Sequence, residues 1–168
     1  MKQIINQYLL LTDWFQSVLE GIDDKDGSKT VYPDGNSLEW IAGHLITGRY
    51  RNLLRLDLDV TTYKHLKKFI DESKPPPNAI AFDKDAPYPA LSASVEQWQM
   101  YAELFLKALE SVDADTLQRE LPFPIPGGGR TVLDALAFVA VHESYHIGQM
   151  SIIRKSLGYP SMKLGRRS

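Results

Sequence analysis

The sequence predicts an all-α protein, a four-helix bundle with a long crossover link between helices 2 and 3. Four stretches repeat apolar residues at steps of three and four. Strand-like alternation is poor throughout, and Gly and Pro clusters punctuate the stretches at their ends. Its 168 residues suit one domain spanning 1–168.

In the first stretch Ile4, Tyr8, Leu11, Phe15, Val18 and Ile22 share a side, and Gly21 with the polar run 23–28 ends it. The second runs from about 37 to 56. Asn36 and Ser37 can cap it, with Glu39 three residues after Asn36 as in a capping box. The third runs from about 92 to 112, and residues 113–120 can add a short helical turn. The fourth, about 131 to 157, has Thr131 as its cap, Asp134 at the reciprocal position, and Gly158 then Pro160 as its stop.

Two connections separate these helices. Residues 59–90 form a long link with a helical patch at Tyr63–Ile70 and the breaker Pro75-Pro76-Pro77. Residues 121–130, Leu-Pro-Phe-Pro-Ile-Pro-Gly-Gly-Gly-Arg, can be neither helix nor central strand. Directly before the fourth helix, that loop is either the rim of a site or a plain connector.

Composition narrows the function. The net charge of −2 leaves no electrostatic footprint for nucleic acid. The basic clusters Lys64–Lys68 and Lys163, Arg166, Arg167 read as solvated surface. With no cysteine, disulfides, thiolate zinc sites and a cysteine nucleophile are excluded, so a thiol in the chemistry must arrive with a substrate. No signal peptide and no bilayer-length apolar run is visible, which makes the cytoplasm the expected location.

Two of the four histidines lie in His142-Glu143-Ser144-Tyr145-His146. Four residues at ~100° each return nearly to the same side of a helix, one turn apart, so both rings can share one ion. Their line along the helix includes Ala135, Val139, Gln149 and Ile153 and is mostly apolar. Two imidazoles in a core are hard to satisfy by packing alone, and a shared metal resolves that. His44, between Ile41 and Leu45 on the second helix, is the candidate third ligand, because bundle metal sites draw on facing helices. His65, among lysines, is left at the surface. The spacing also matches the zinc-protease signature, but no His, Asp or Glu follows His146 to complete such a site.

Glu143 and Gln149 are the candidate catalytic residues. Glu143, turned ~100° from His142, is either surface charge or a rim group acting as base or support. Gln149, one turn beyond His146, can orient a ligand. Arg49, Arg51 and Arg130 are candidate anchors for an acidic cosubstrate, but each reads first as an exposed arginine.

The segments Asn36-Ser37-Leu38-Glu39-Trp40-Ile41-Ala42-Gly43-His44-Leu45 and His142-Glu143-Ser144-Tyr145-His146-Ile147-Gly148-Gln149 resemble the second- and fourth-helix motifs of the DinB-like (YfiT-like) metal-binding superfamily. The resemblance extends over nearly the whole chain in helix order. It implies the up-down-down-up topology and a divalent ion, zinc or nickel, on His44, His142 and His146. It further implies a small-molecule substrate, with a low-molecular-weight thiol as cosubstrate of an S-transferase, and a homodimer. A water-activating hydrolase and a non-catalytic stress-related metal-binding protein are the alternatives. Many members carry a further histidine where this chain has Tyr145.

Overall fold

The structure, a computed structural model, describes residues 1–73, 75 and 77–165. Four long helices carry it: α1 Lys2–Leu19, α2 Leu38–Arg55, α3 Leu91–Ser111 and α5 Val132–Ser156, with the single-turn-and-a-half α4 Ala114–Gln118 between the last two. Pro76 of the expected breaker, and Arg166 and Arg167 of the basic tail, lie outside the described residues.

Cross-helix contacts give the directions. Tyr8 bonds the Leu136 carbonyl and Arg154 bonds the Val18 carbonyl, so α1 and α5 run parallel. Tyr8 meets Phe105 while Phe15 stacks on Trp98, so α3 runs against α1. On α2, His44 faces His146 while Gly48 faces Val139, so α2 runs against α5. This is the up-down-down-up order. Parallel α2 and α3 cannot be joined by a tight turn, which is why a long crossover separates them.

The apolar stripes close on one core. Tyr8, Phe15, Trp98, Phe105, Leu45, Leu53 and Met150 are all fully buried. Caps set the helix starts. Thr131 and Asp134 form the reciprocal box on α5. On α2 the cap is Ser37, which accepts from the Trp40 amide, and Glu39 forms no box with Asn36. One residue of shift moves Glu39 out of the reciprocal position. α1 stops at Leu19, short of Ile22, with Gly21 at φ 74°.

The crossover departs from expectation. Tyr63–Ile70 holds only a 3₁₀ turn, Leu66–Lys68, followed by a two-residue antiparallel hairpin, β1 Ile70–Asp71 and β2 Asn78–Ala79. Phe69, fully buried, draws the chain down onto α2 and ends the helical turn. It seats against Gly43, where a Cβ would come within 2.0 Å of the Phe69 ring. A residue without a side chain, next to His44, is what lets the link dock there. Among the described residues, no helix is long and apolar enough to cross a membrane.

Candidate metal centre

His44 on α2 and His142 and His146 on α5 meet between the two helices. Nε2 of His142 lies 3.1 Å from Nε2 of His44 and 3.1 Å from Nε2 of His146. All three ligand atoms fall within 4.8 Å of one another. His146 is 8% exposed, and the other two are half-buried.

Imidazole hydrogen bonding cannot satisfy this cluster. A neutral ring nitrogen either donates once or accepts. Nδ1 of His146 donates to Oε1 of Gln149 at 2.7 Å, and the amide nitrogen of Gln149 donates to the Tyr145 hydroxyl at 3.0 Å. That fixes the His146 tautomer and turns the Nε2 lone pair toward the other two rings. Burial and mutual repulsion push the His44 imidazole down to about 3 and His142 to about 4, and burial lowers His146 as well. The rings are therefore neutral near pH 7, and their Nε2 atoms converge on a common point. A tetrahedral ion with bonds of ~2.1 Å holds its ligand atoms ~3.4 Å apart, close to the observed separations. The donor set fits a divalent cation.

Helical phase explains the surroundings. Trp40, one turn before His44, stacks on it with ring centres 4.9 Å apart. A cavity of about 430 Å³ opens beside His44 and His142. Its wall comprises Phe123–Pro126 of the 121–130 loop, Phe69, Ile70 and Pro77–Ala79 of the crossover, and Phe138 and Val139 of α5. The 121–130 loop thus forms part of the cavity wall. It is pinned by Leu121 bonding Arg130, and turned by Gly127 and Gly128 at φ 94° and 87°. The crossover's share of the wall went unread in the sequence.

The remaining expected residues fall in different places. Glu143 is neither surface charge nor rim: its side chain is 0% exposed and lies outside the cavity wall. It forms a bidentate ion pair with Arg49, at 2.5 and 2.9 Å. Burial raises the Glu143 carboxyl while Arg49 pulls it back. Arg49 is equally buried, stacked over Trp98 and Tyr8, so it is neither an anchor nor exposed. One residue of α5 is enough to carry Glu143 from the cavity side to the core. Gln149 sits behind His146 and holds that ring, away from the cavity wall. Tyr145 is 62% exposed and supports Gln149 without reaching the cavity. Arg130 is exposed, whereas Arg51 lines the cavity together with Arg55, which the sequence reading missed.

Solved structures share this fold. A DinB-like protein from Bacillus cereus ATCC 10987 is 20% identical over 97% of this chain and 96% of its own, with a TM-score of 0.68. A DinB-like protein, YjoA, from Bacillus subtilis is 15% identical over 98% and 99%, with a TM-score of 0.65. YfiT from Bacillus subtilis, described as a probable metal-dependent hydrolase with an unusual four-helix bundle topology, is 15% identical over 95% and 88%, with a TM-score of 0.62. No protein with a curated description matches the chain. The family model of the DinB superfamily matches residues 7–150, from the first helix through the histidine pair and Gln149, and the chain belongs to that superfamily.

Proposed function

We propose that His44, His142 and His146 hold one divalent ion, zinc or nickel, and that the centre serves a metal-dependent S-transferase joining a low-molecular-weight thiol to a small electrophile. The observation that carries this is the convergence of three imidazole Nε2 atoms beside a largely apolar cavity. Three neutral imidazoles leave a cation its charge and at least one open position, the pattern of catalytic rather than structural sites. An ion bound there eases loss of the proton from an incoming thiol or water.

The chain's own groups supply the rest. Gln149 holds His146 in the ligating tautomer. Glu143 and Arg49 fasten α5 to α2 beside the triad and act as positioning residues rather than catalytic ones. Apolar side chains of the cavity wall, among them Phe123, Ile125, Phe138 and Val139, offer a surface against which an electrophile can seat. In the transfer, the thiol sulfur forms a bond to the electrophilic carbon, the thiol proton passes to solvent, and the leaving group departs with its electron pair. With no cysteine in the chain, the thiol is a cosubstrate. Val141, Tyr145 and Ile152, an exposed apolar stripe on α5, support the homodimer that the family resemblance implies.

A second reading, hydrolysis by activated water, is favoured by the description of YfiT. Elemental analysis of purified protein should find about one divalent ion per chain, and His142→Ala should weaken its binding at least about tenfold. A chromogenic electrophile assayed with and without added thiols then separates the two chemistries. Thiol-dependent turnover that exceeds the His44→Ala rate supports transfer. Thiol-independent product release supports hydrolysis, and rates no higher than His44→Ala for both remove the enzyme reading.

A further inference from the structure

The cavity's charged side chains, the histidines apart, are Arg51 and Arg55, and none of its wall residues is a carboxylate. Both arginines lie on α2 in phase with His44: steps of seven and eleven residues come within ~20° of a whole number of turns. His44, Gly48, Arg51 and Arg55 thus form one stripe along the cavity floor. Gly48 keeps the stripe open between the triad and the first guanidinium.

Both guanidinium groups are half-buried. Arg51 makes no hydrogen bond or ion pair among the described residues. The acid acting on it is the exposed Glu72, outside the wall. Arg55 donates one bond, to Asn52 at 2.6 Å, and has no carboxylate partner among the described residues. Burial lowers both groups, Arg55 to about 10, with Arg51 repelling it. Two like charges sharing a pocket whose wall holds no carboxylate are costly unless an anion completes them. At 1.5 Å per residue they stand about 10 and 16 Å along the helix from His44.

We infer that Arg51 and Arg55 form an anion subsite, and that the ligand of this cavity is an elongated apolar molecule bearing a carboxylate or phosphate at the end remote from the histidines. This rests on the proposed function only in making that ligand the substrate or cosubstrate of the metal centre. The subsite itself stands on the two arginines.

The probe is octanoate, compared with octanamide of equal length, titrated calorimetrically into zinc-loaded and zinc-free protein. Octanoate is expected to bind about tenfold or more tightly than octanamide in both forms. R51Q/R55Q should lose that advantage while keeping octanamide affinity, and R51K/R55K should retain most of it. Equal affinities for the two probes, no saturable octanoate binding, or octanoate binding untouched by R51Q/R55Q would each overturn the subsite. So would octanoate binding seen in the zinc-loaded form alone, which places the carboxylate at the histidines. Zinc stoichiometry measured on the same samples reports separately on the metal centre. Its absence with octanoate discrimination intact sinks the proposed function and leaves the subsite standing.

Discussion

Arg49 and Arg51 are two residues apart on α2 and occupy opposite environments. Arg49 is fully buried, paired to Glu143 and stacked among Tyr8, Trp98 and Phe105. Arg51 faces a cavity with no partner for its charge among the wall residues. A parallel split occurs on α5, where His142 faces the cavity and Glu143 the core. Each helix therefore has a face that holds the bundle together and a face that is left chemically unfinished. Arg49, neutralised inside the protein, serves the fold, whereas Arg51 and Arg55 are the groups proposed to receive an anion.

The largest effect is expected on the finished side. Glu143→Ala leaves the Arg49 charge buried and alone, which should cost about 3–5 kcal/mol in urea unfolding. The double variant R49M/E143L removes both charges and should recover most of that loss. If E143A costs no more than an ordinary surface substitution, the pair does not fasten α5 to α2.

Next comes the docking of the crossover. A Cβ at Gly43 would sit 2.0 Å from the Phe69 ring, and overpacking of this kind costs about 1–3 kcal/mol. Gly43→Ala should destabilise the protein and loosen the cavity wall, and G43A/F69L should regain part of the loss. Unchanged denaturation midpoints in G43A would mean that Phe69 moves aside freely.

A smaller effect belongs to the ring behind the triad. Gln149→Leu removes the acceptor for His146 Nδ1 and should weaken zinc binding by about tenfold or more, as loss of groups supporting metal-bound histidines generally does. Gln149→Glu, which keeps the acceptor, should stay closer to the parent. Competition titration against a chromophoric chelator reads both.

Helical phase accounts for what was legible in the sequence. His142 and His146 recur at a single turn, so their shared face was readable, and the caps and Gly-Pro stops placed the long helices within a few residues. Phase also carried information that charge alone concealed. Arg51 and Arg55 are nearly in phase with His44, whereas Arg49 is rotated ~140° away, onto the core side. Treating the arginines as interchangeable positive residues hid that division. Glu143 resisted because a ~100° offset permits rim or core, and its partner, Arg49, is 94 residues away in sequence. The crossover resisted for another reason. Phe69 and Gly43 are complementary only once the link has folded back, and no local periodicity encodes such a contact.

The histidines also give a pH dependence to the zinc-free protein. Burial holds His44 near 3 and His142 near 4, below the ~6.5 of an unfolded chain. Between those limits the unfolded chain binds protons that the folded one refuses. Stability is therefore fully present above about pH 6.5 and falls as the pH drops toward 4. Thermal melts of zinc-free protein should show Tm declining over that window, with a flatter profile in H44A/H142A. An identical slope in the variant would assign the acid sensitivity to other groups.

The smallest effect is expected where the comparison is sharpest. R51Q/R55Q removes two charged side chains, as R49M/E143L does, yet neither arginine forms an ion pair among the described residues. Removing two unneutralised like charges relieves repulsion and gives up one bond, from Arg55 to Asn52. These terms oppose each other, so unfolding free energy should stay within about 0.5 kcal/mol of the parent, as for substitutions that break no buried network. A loss approaching that of E143A would show that the cavity arginines are part of the scaffold after all, and the distinction between the two faces of α2 would fail.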